Sequence, residues 1–323
     1  MTASSEVPET SNAASWATIA VMIVCLAVLE WVHPVPITLR GAVPLTIACI
    51  TLWSAAYFYR AVRPSEEFAV MCISLSQVLL FSAIGASLSY LVAMGDYPLW
   101  DPTLAKWDRA LGFDWMAMMH FVDRSPLAVA ILHFAYGSLI PQIIVVVCAL
   151  GFQRRLLELR TVMLAAMLCG CVSIFISAFM PGVAYGVYLG IKPGDFEHVF
   201  PHAGFIKMPD LSSLRDGTIP ELDFVKMQGI ITFPSYHAGL SAITFYGFWA
   251  ARWHALRLAG MVLAALTIVS TPVDGGHYLV DVIAGIAIAV GCIAVARRAV
   301  CWKPEWAPLK AWPSRRLREA SAQ

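Results

Sequence analysis

Two of the eight histidines in this chain are set in surroundings that suit chemistry. The first lies in Phe233-Pro234-Ser235-Tyr236-His237-Ala238-Gly239. Proline suits a helix start and Ser235 is a good capping residue, so His237 falls in a first turn near free backbone N–H groups. The second lies in Ser270-Thr271-Pro272-Val273-Asp274-Gly275-Gly276-His277-Tyr278-Leu279-Val280-Asp281. His277 and Asp281 are four apart and share one helix face. The carboxylate can accept a hydrogen bond from Nδ1, which sets the tautomer and leaves Nε2 free to act as a nucleophile. A second histidine across the site can protonate a leaving oxygen. Helix N-termini and the Gly275-Gly276 backbone offer N–H groups to an anion. These parts suit phosphoryl transfer through a phosphohistidine.

The other histidines read differently. His33, beside Glu30, and His254, on a basic loop, read as solvated surface groups. His120 and His133 read as core or interface groups with a hydrogen-bond partner, whereas His198 and His202 sit in a long loop and are harder to dismiss. The bland reading of His237 and His277 is two helix-end histidines satisfied by solvent. Two His and one Asp are zinc-like ligands, but no His-Glu-x-x-His is present. No metal and no other cofactor is expected.

The elements that must position these residues follow from composition. Hydrophobic residues make up 59% of the chain and charged residues 13%, against roughly 45–50% and about 25% in a soluble domain. That places the chain among membrane proteins. It excludes disorder, a collagen-like fibre and a disulfide-stapled secreted domain. A net charge of +1 gives no footprint for nucleic acid. The eight cysteines form no Cys-x-x-Cys pair and read as apolar filler.

Apolar runs lie at Thr10–Leu29, Gly41–Tyr59, Phe68–Gly95, Ser125–Gln153, Thr161 to near Met180, Met227–Ala251 (with its helix starting near Pro234), Leu258–Val273 (short, but with Arg252 and Arg257 able to snorkel at its inner end) and Gly275–Ala296, where Asp281 is the only acid. The expected fold is an all-α polytopic bundle of about eight transmembrane helices. No cleavable signal peptide is expected. Arg60 and Arg63, Arg154 to Arg160, Arg252 and Arg257, and the Arg- and Lys-rich tail all fall on one side of such a bundle. Positive loops are cytoplasmic, which puts both termini inside. The expected location is an inner or plasma membrane, with the active site on the outer face.

Two segments then face outward. Asp96–Arg124 carries Leu104, Trp107, Leu111 and Trp115 at helical spacing and reads as an amphipathic helix in the membrane interface. Pro181–Thr232 is a loop of about fifty residues, a length that is usually functional. The chain thus divides into N-terminal transmembrane helices with an outer amphipathic segment over 1–160, a core over 161–300 and a basic cytoplasmic tail over 301–323.

Pro-Ser-Tyr-His at 234–237 resembles the Pro-Ser-Gly-His motif of the type 2 phosphatidic acid phosphatase superfamily. Ser270-Thr271, five residues, His277, three residues and Asp281 resembles its Ser-Arg-x5-His-x3-Asp motif. The resemblance covers Ala165–Ala296 and makes 161–300 the catalytic core. It implies His277 as nucleophile, Asp281 as its orienter and His237 as acid/base. Ser235, Tyr236, Gly275 and Gly276 are then expected around the substrate, a lipid phosphate or phospholipid drawn from the bilayer. Two departures concern the phosphate grip. The family's Lys-x6-Arg-Pro motif is missing after the fifth run, and Thr271 stands where an Arg is usual. Lys192, Lys207, Arg215 and Lys226 are candidates to replace those cations. The Met180-to-Tyr185 turn and the Asp-x2-Leu pattern ending in Gly112-Phe113-Asp114-Trp115 resemble the inositol phosphorylceramide synthase branch. The implied activity is lipid phosphatase or phosphotransferase. A membrane transporter or non-catalytic lipid-binding scaffold is the alternative, and clustering of the polar residues at one face favours the enzyme.

Overall fold

The structure is a computed structural model that describes residues 12–35, 39–218, 227 and 229–301. Every regular element among them is a helix. Three long helices come first, α1 (Ala13–Val32), α2 (Leu39–Ala61) and α3 (Glu66–Ala93). Next come α4 (Asp101–Ala110), α5 (Trp115–Asp123), α6 (Pro126–Gly137), α7 (Leu139–Phe152) and α8 (Leu156–Phe179). A connecting segment carries the short α9 (Tyr185–Tyr188), α10 (His202–Ile206) and α11 (Met208–Arg215). The last three are α12 (Tyr236–Ala250), α13 (His254–Asp274) and α14 (Leu279–Cys301).

Six of these helices, α1, α2, α3, α8, α13 and α14, are long and apolar enough to cross a membrane. The pair α6 and α7 makes a seventh if it is counted as one span. Val21, Val24, Val43, Ile47, Val262 and Val290 are all more than half exposed. Apolar surface of that extent belongs against lipid. The chain is an integral membrane protein.

The span count is below the eight runs of the sequence, and the differences are local. The fourth run is broken at Ser138, where α6 and α7 meet at 56°. Pro141, in the first turn of α7, has no N–H to offer the Gly137 carbonyl, and the Thr267 hydroxyl of α13 lies 3.0 Å from the Ala135 carbonyl beside the break. Gln142 then donates to both Ser138 Oγ and Thr267 Oγ1 at 2.8 Å. Side-chain hydroxyls inserted into the ladder are a recognised cause of kinks. The sixth run forms a helix of only 15 residues, about 22 Å long.

α8 is the central post, packed against α3, α12 and α14. Two glycines bring α12 and α14 to backbone contact. A Cβ on Gly239 would lie 2.9 Å from the Gly285 carbonyl oxygen, and one on Gly285 would overlap the Ser235 carbonyl. Small residues permit this approach in membrane bundles. The arginine-rich turns gather at one end of the bundle, where Arg154 pairs with Glu67, Arg155 with Glu158 and Arg160 with Glu66. The chemistry-bearing residues are at the other end.

There the expected amphipathic helix is two helices, α4 and α5, with a turn at Gly112 and a cap from Asp114, which accepts from Ala117 N at 3.0 Å. Its buried face also differs from the apolar stripe. Trp107 and Leu111 are 40% and 58% exposed, while Asp101, Leu104, Ala105 and Asp108 are buried. The two carboxylates turn inward because donors await them. Asp108 accepts from the N–H groups of Leu279 and Val280 at 2.9 Å, capping α14. Asp101 accepts from the Tyr278 hydroxyl at 2.8 Å and from Val183 N at 3.1 Å. A carboxylate at a helix N-terminus also meets the favourable end of the dipole.

Asp108→Ala removes both cap bonds and leaves two buried donors unpaired. The expected loss is about 2 kcal/mol or more of stability, read as a lower thermal midpoint in detergent. An unchanged midpoint would show that α14 does not depend on this cap.

Candidate active site

The site is assembled where α12 and α14 begin. Ser235 is fully buried and its Oγ accepts from Ala238 N at 3.3 Å, which starts α12. Its own N–H donates to the Asp281 carbonyl at 3.0 Å. This bond and the glycine contact hold the two helix starts together, so His237 and His277 are at one level. Ser235 is thus a cap and a tether. The neighbouring Tyr236 lies across the helix groove, with its hydroxyl donating to the Ala166 carbonyl at 3.2 Å.

His277 Nδ1 lies 3.2 Å from Asp281 Oδ2, and that oxygen also accepts from Tyr278 N at 3.0 Å. The pair is buried, at 3% and 0% exposure. The carboxylate fixes the imidazole as the Nδ1–H tautomer, leaving Nε2 with the lone pair. Asp281 Oδ1 has no hydrogen-bond partner among the described residues. Burial, reinforced by the nearby Lys207 charge and then by His237, holds the His277 imidazole well below its usual range. The Thr232 carbonyl beside it acts in the opposite direction.

His237 is held by α6. Its Nε2 is 3.2 Å from the Tyr136 carbonyl, and the two rings stack at 4.1 Å with 5° between their planes. A carbonyl only accepts, so Nε2 carries the proton and Nδ1 is the free position.

The glycine pair serves a packing role. Gly275 is wedged between the His277 ring, the Tyr136 ring and the Thr271 carbonyl. Gly276 has φ +65°, which favours glycine, and its carbonyl accepts from Tyr185 N at 2.7 Å. The N–H groups expected to receive an anion at α14 are already engaged. Leu279 and Val280 donate to Asp108, and Tyr278 donates to Asp281. These three N–H groups are therefore already taken by the protein's own carboxylates.

The four candidate cations separate clearly. Lys192 is exposed, in a turn where its N–H donates to Asp195 at 2.8 Å. Arg215 donates to the Tyr97 carbonyl. Lys226 lies outside the described residues. Lys207, between α10 and α11, is half-buried and shares the wall of a cavity with His237. Burial brings its ammonium down to about 8. Its charge acts on both His237 and His277. Nearby, His133 Nδ1 meets Asp274 Oδ1 at 2.8 Å, and the His202 ring lies 6.1 Å from that of His133. The sequence suggested a partner for His133 without identifying it, because Asp274 is 141 residues away. No group of His, Cys, Asp and Glu suited to holding a metal ion occurs among the described residues.

Fold and site together define a membrane protein of the phosphatase type. The profile of the PAP2 superfamily matches residues 102–295, and the chain belongs to that superfamily, a group of phosphatases and phosphotransferases. The match begins well upstream of the motif-bearing stretch and takes in Asp108 of α4, whose carboxylate caps α14. No curated protein and no solved structure matches the chain.

The backbone contact between α12 and α14 makes Gly285→Ala a sensitive probe. Overpacking of this kind costs about 1–3 kcal/mol, and separating the helix starts should also lower activity. Gly291→Ala, on the same helix with open space around it, is the control and should behave as wild type. Equal thermal midpoints for the two variants would contradict the packing argument.

Proposed function

We propose that this protein is a lipid phosphatase or phosphotransferase that works through a phosphohistidine at the outer membrane face. The observation that carries the reading is His277 backed by Asp281, with His237 opposite and the Lys207 ammonium close to both. His237 enters as the imidazolium, with its second proton on the otherwise free Nδ1; His277 Nε2 attacks phosphorus, the bond from phosphorus to the leaving oxygen breaks, and His237 Nδ1 gives that oxygen its proton. In the second step water or another hydroxyl attacks phosphorus, the P–N bond breaks, and His237 takes the proton back. The neutral state favoured for His277 by burial is the nucleophilic one. Lys207 takes the part of the missing family cations, since the transferring group carries charge on its equatorial oxygens.

The inositol phosphorylceramide synthase-like branch is the reading we favour within the superfamily. Its support is the Asp101, Asp108 and Trp115 segment and the 180–185 turn, which meet at Tyr278 and Gly276. We also favour eight passes through the bilayer, taking α6 with α7 as one and α12 as another, with α4 in the interface and both termini cytoplasmic. The gathering of arginines at the end opposite the histidines supports that orientation. A transporter reading draws less support. The bend at Ser138 holds hydroxyls and a neutral amide rather than an ion site.

His277→Ala should abolish turnover of lipid phosphates while preserving the fold, and labelled phosphate should be trapped on the wild-type protein only. Asp281→Asn should also cut activity strongly. A His277→Ala variant with most of its activity intact would rule out this nucleophile.

The Lys207 charge is lost as pH rises through about 8, so kcat/KM should fall on that alkaline limb. Lys207→Arg stays charged and should move the limb upward. Lys207→Ala should lower turnover by roughly a hundredfold, the scale of one lost electrostatic donor. An alkaline limb unchanged in Lys207→Arg would assign it to another group.

A further inference from the structure

A cavity of about 750 Å³ opens beside His237 and runs into the bundle, a volume within the range of ligand sites. Lys207, His237 and Tyr136 line its end nearest the histidines, and away from them the lining is mostly apolar, with Val78, Val162 and Ile143 beside the hydroxyls of Ser82 and Thr244. Ser89 and Val78, both in the lining, are eleven residues apart on α3, about 16 Å at the helical rise. Neither His277 nor Asp281 lines it. One whole wall is α3, from Val78 to Ser89, and α3 lies upstream of the family-matched residues 102–295. The chamber is therefore completed by a helix outside the shared core.

We propose that α3 closes a chamber that holds the hydrocarbon chain of the substrate's leaving alcohol inside the protein, with Gly85 setting its bore. This rests on the phosphoryl-transfer reading above. In such a transfer the attacking and leaving atoms are in line on opposite sides of phosphorus. His277 attacks from one side and His237 protonates the leaving oxygen on the other. A chain reaching the chamber from the His237 side is attached to that leaving oxygen. The cleaved bond joins phosphorus to the oxygen of a long-chain alcohol, which departs with the His237 proton, while the phosphoryl group stays on His277 Nε2. The substrate class is a long-chain phosphate ester, anionic at Lys207 and apolar along α3. Gly85 suits a bore-setting position because an added Cβ meets only ordinary contacts, 3.7 Å from Met22 and 3.8 Å from Phe81. A larger side chain there narrows the chamber without overlapping backbone.

Two measurements test this. The first compares wild type and Gly85→Leu on butyl and hexadecyl phosphate in mixed micelles, where the variant-to-wild-type ratio cancels partition into the micelle. Each buried methylene strengthens binding by up to about fourfold. We expect kcat/KM on hexadecyl phosphate to fall at least tenfold in the variant, with the butyl ester within twofold. Equal effects on both esters would overturn the proposal.

The second measurement needs no turnover. Hexadecyl phosphate with a terminal diazirine is photolysed with His277→Ala protein, and the labelled peptides are mapped. Label on Val78, Val162 or Ile143, displaced by hexadecyl phosphate and not by a neutral alkyl detergent, supports the chamber. Label confined to lipid-facing residues such as Val43 or Val290, or displaced equally by the detergent, overturns it. If the labelling succeeds and no ester is turned over, the transfer reading fails and the chain site stands.

Discussion

The contact of α12 with α14 at Gly239 and Gly285 is the constraint from which the site follows. The two histidines belong to different parts of the chain, and each helix by itself says only which way its own side chain faces. Backbone contact at the glycines, with the Ser235 N–H donating to the Asp281 carbonyl, turns two helix starts into one rigid unit. The Asp281 residue serves twice: its carboxylate holds the His277 imidazole and its carbonyl holds the start of α12. A membrane bundle has little hydrophobic drive between its helices, so close packing and buried hydrogen bonds carry that task.

The same end of the bundle shows a competition for helix N-termini. Free N–H groups at a helix start attract anions, and a phosphate enzyme can use them. Here the α14 start is committed to the protein's own carboxylates, Asp108 and Asp281. That commitment stabilises the loop carrying His277 and adds buried carboxylates close by. On the reading proposed above, the positive charge for a phosphate group comes from Lys207, whose segment is itself tied down. Asp123 accepts from the N–H groups of Glu197, His198 and Val199, Tyr90 donates to Asp210, and Arg215 donates to the Tyr97 carbonyl.

Much of this was legible in the residues. The four-residue spacing of His277 and Asp281 and the Pro-Ser start before His237 are local signals, and local signals survive folding. The apolar runs marked the long helices for the same reason. What was not legible depends on distant partners. Asp101 and Asp108 looked like the polar face of an interfacial helix, since the residues that bury them, Tyr278 and the first turn of α14, lie some 170 positions away. Gly137 and Pro141 mark the break at Ser138 within the run, but its staple from Gln142 to Thr267, 125 residues on, has no local signal. Among four loop cations, spacing offered no reason to favour Lys207, because burial in a long loop follows from tertiary packing rather than from pattern.

The bend between α6 and α7 has a mechanical side. Tyr136, whose carbonyl holds His237, lies two residues before Ser138, and the hydroxyl and amide staple at the bend fixes where that carbonyl is. The staple thus makes the bend part of the site's framework: Thr267 of α13 and Gln142 of α7 hold the end of α6, and α6 in turn holds the His237 ring by a carbonyl and a stacked phenol. Three helices other than α12 therefore determine how that ring is turned.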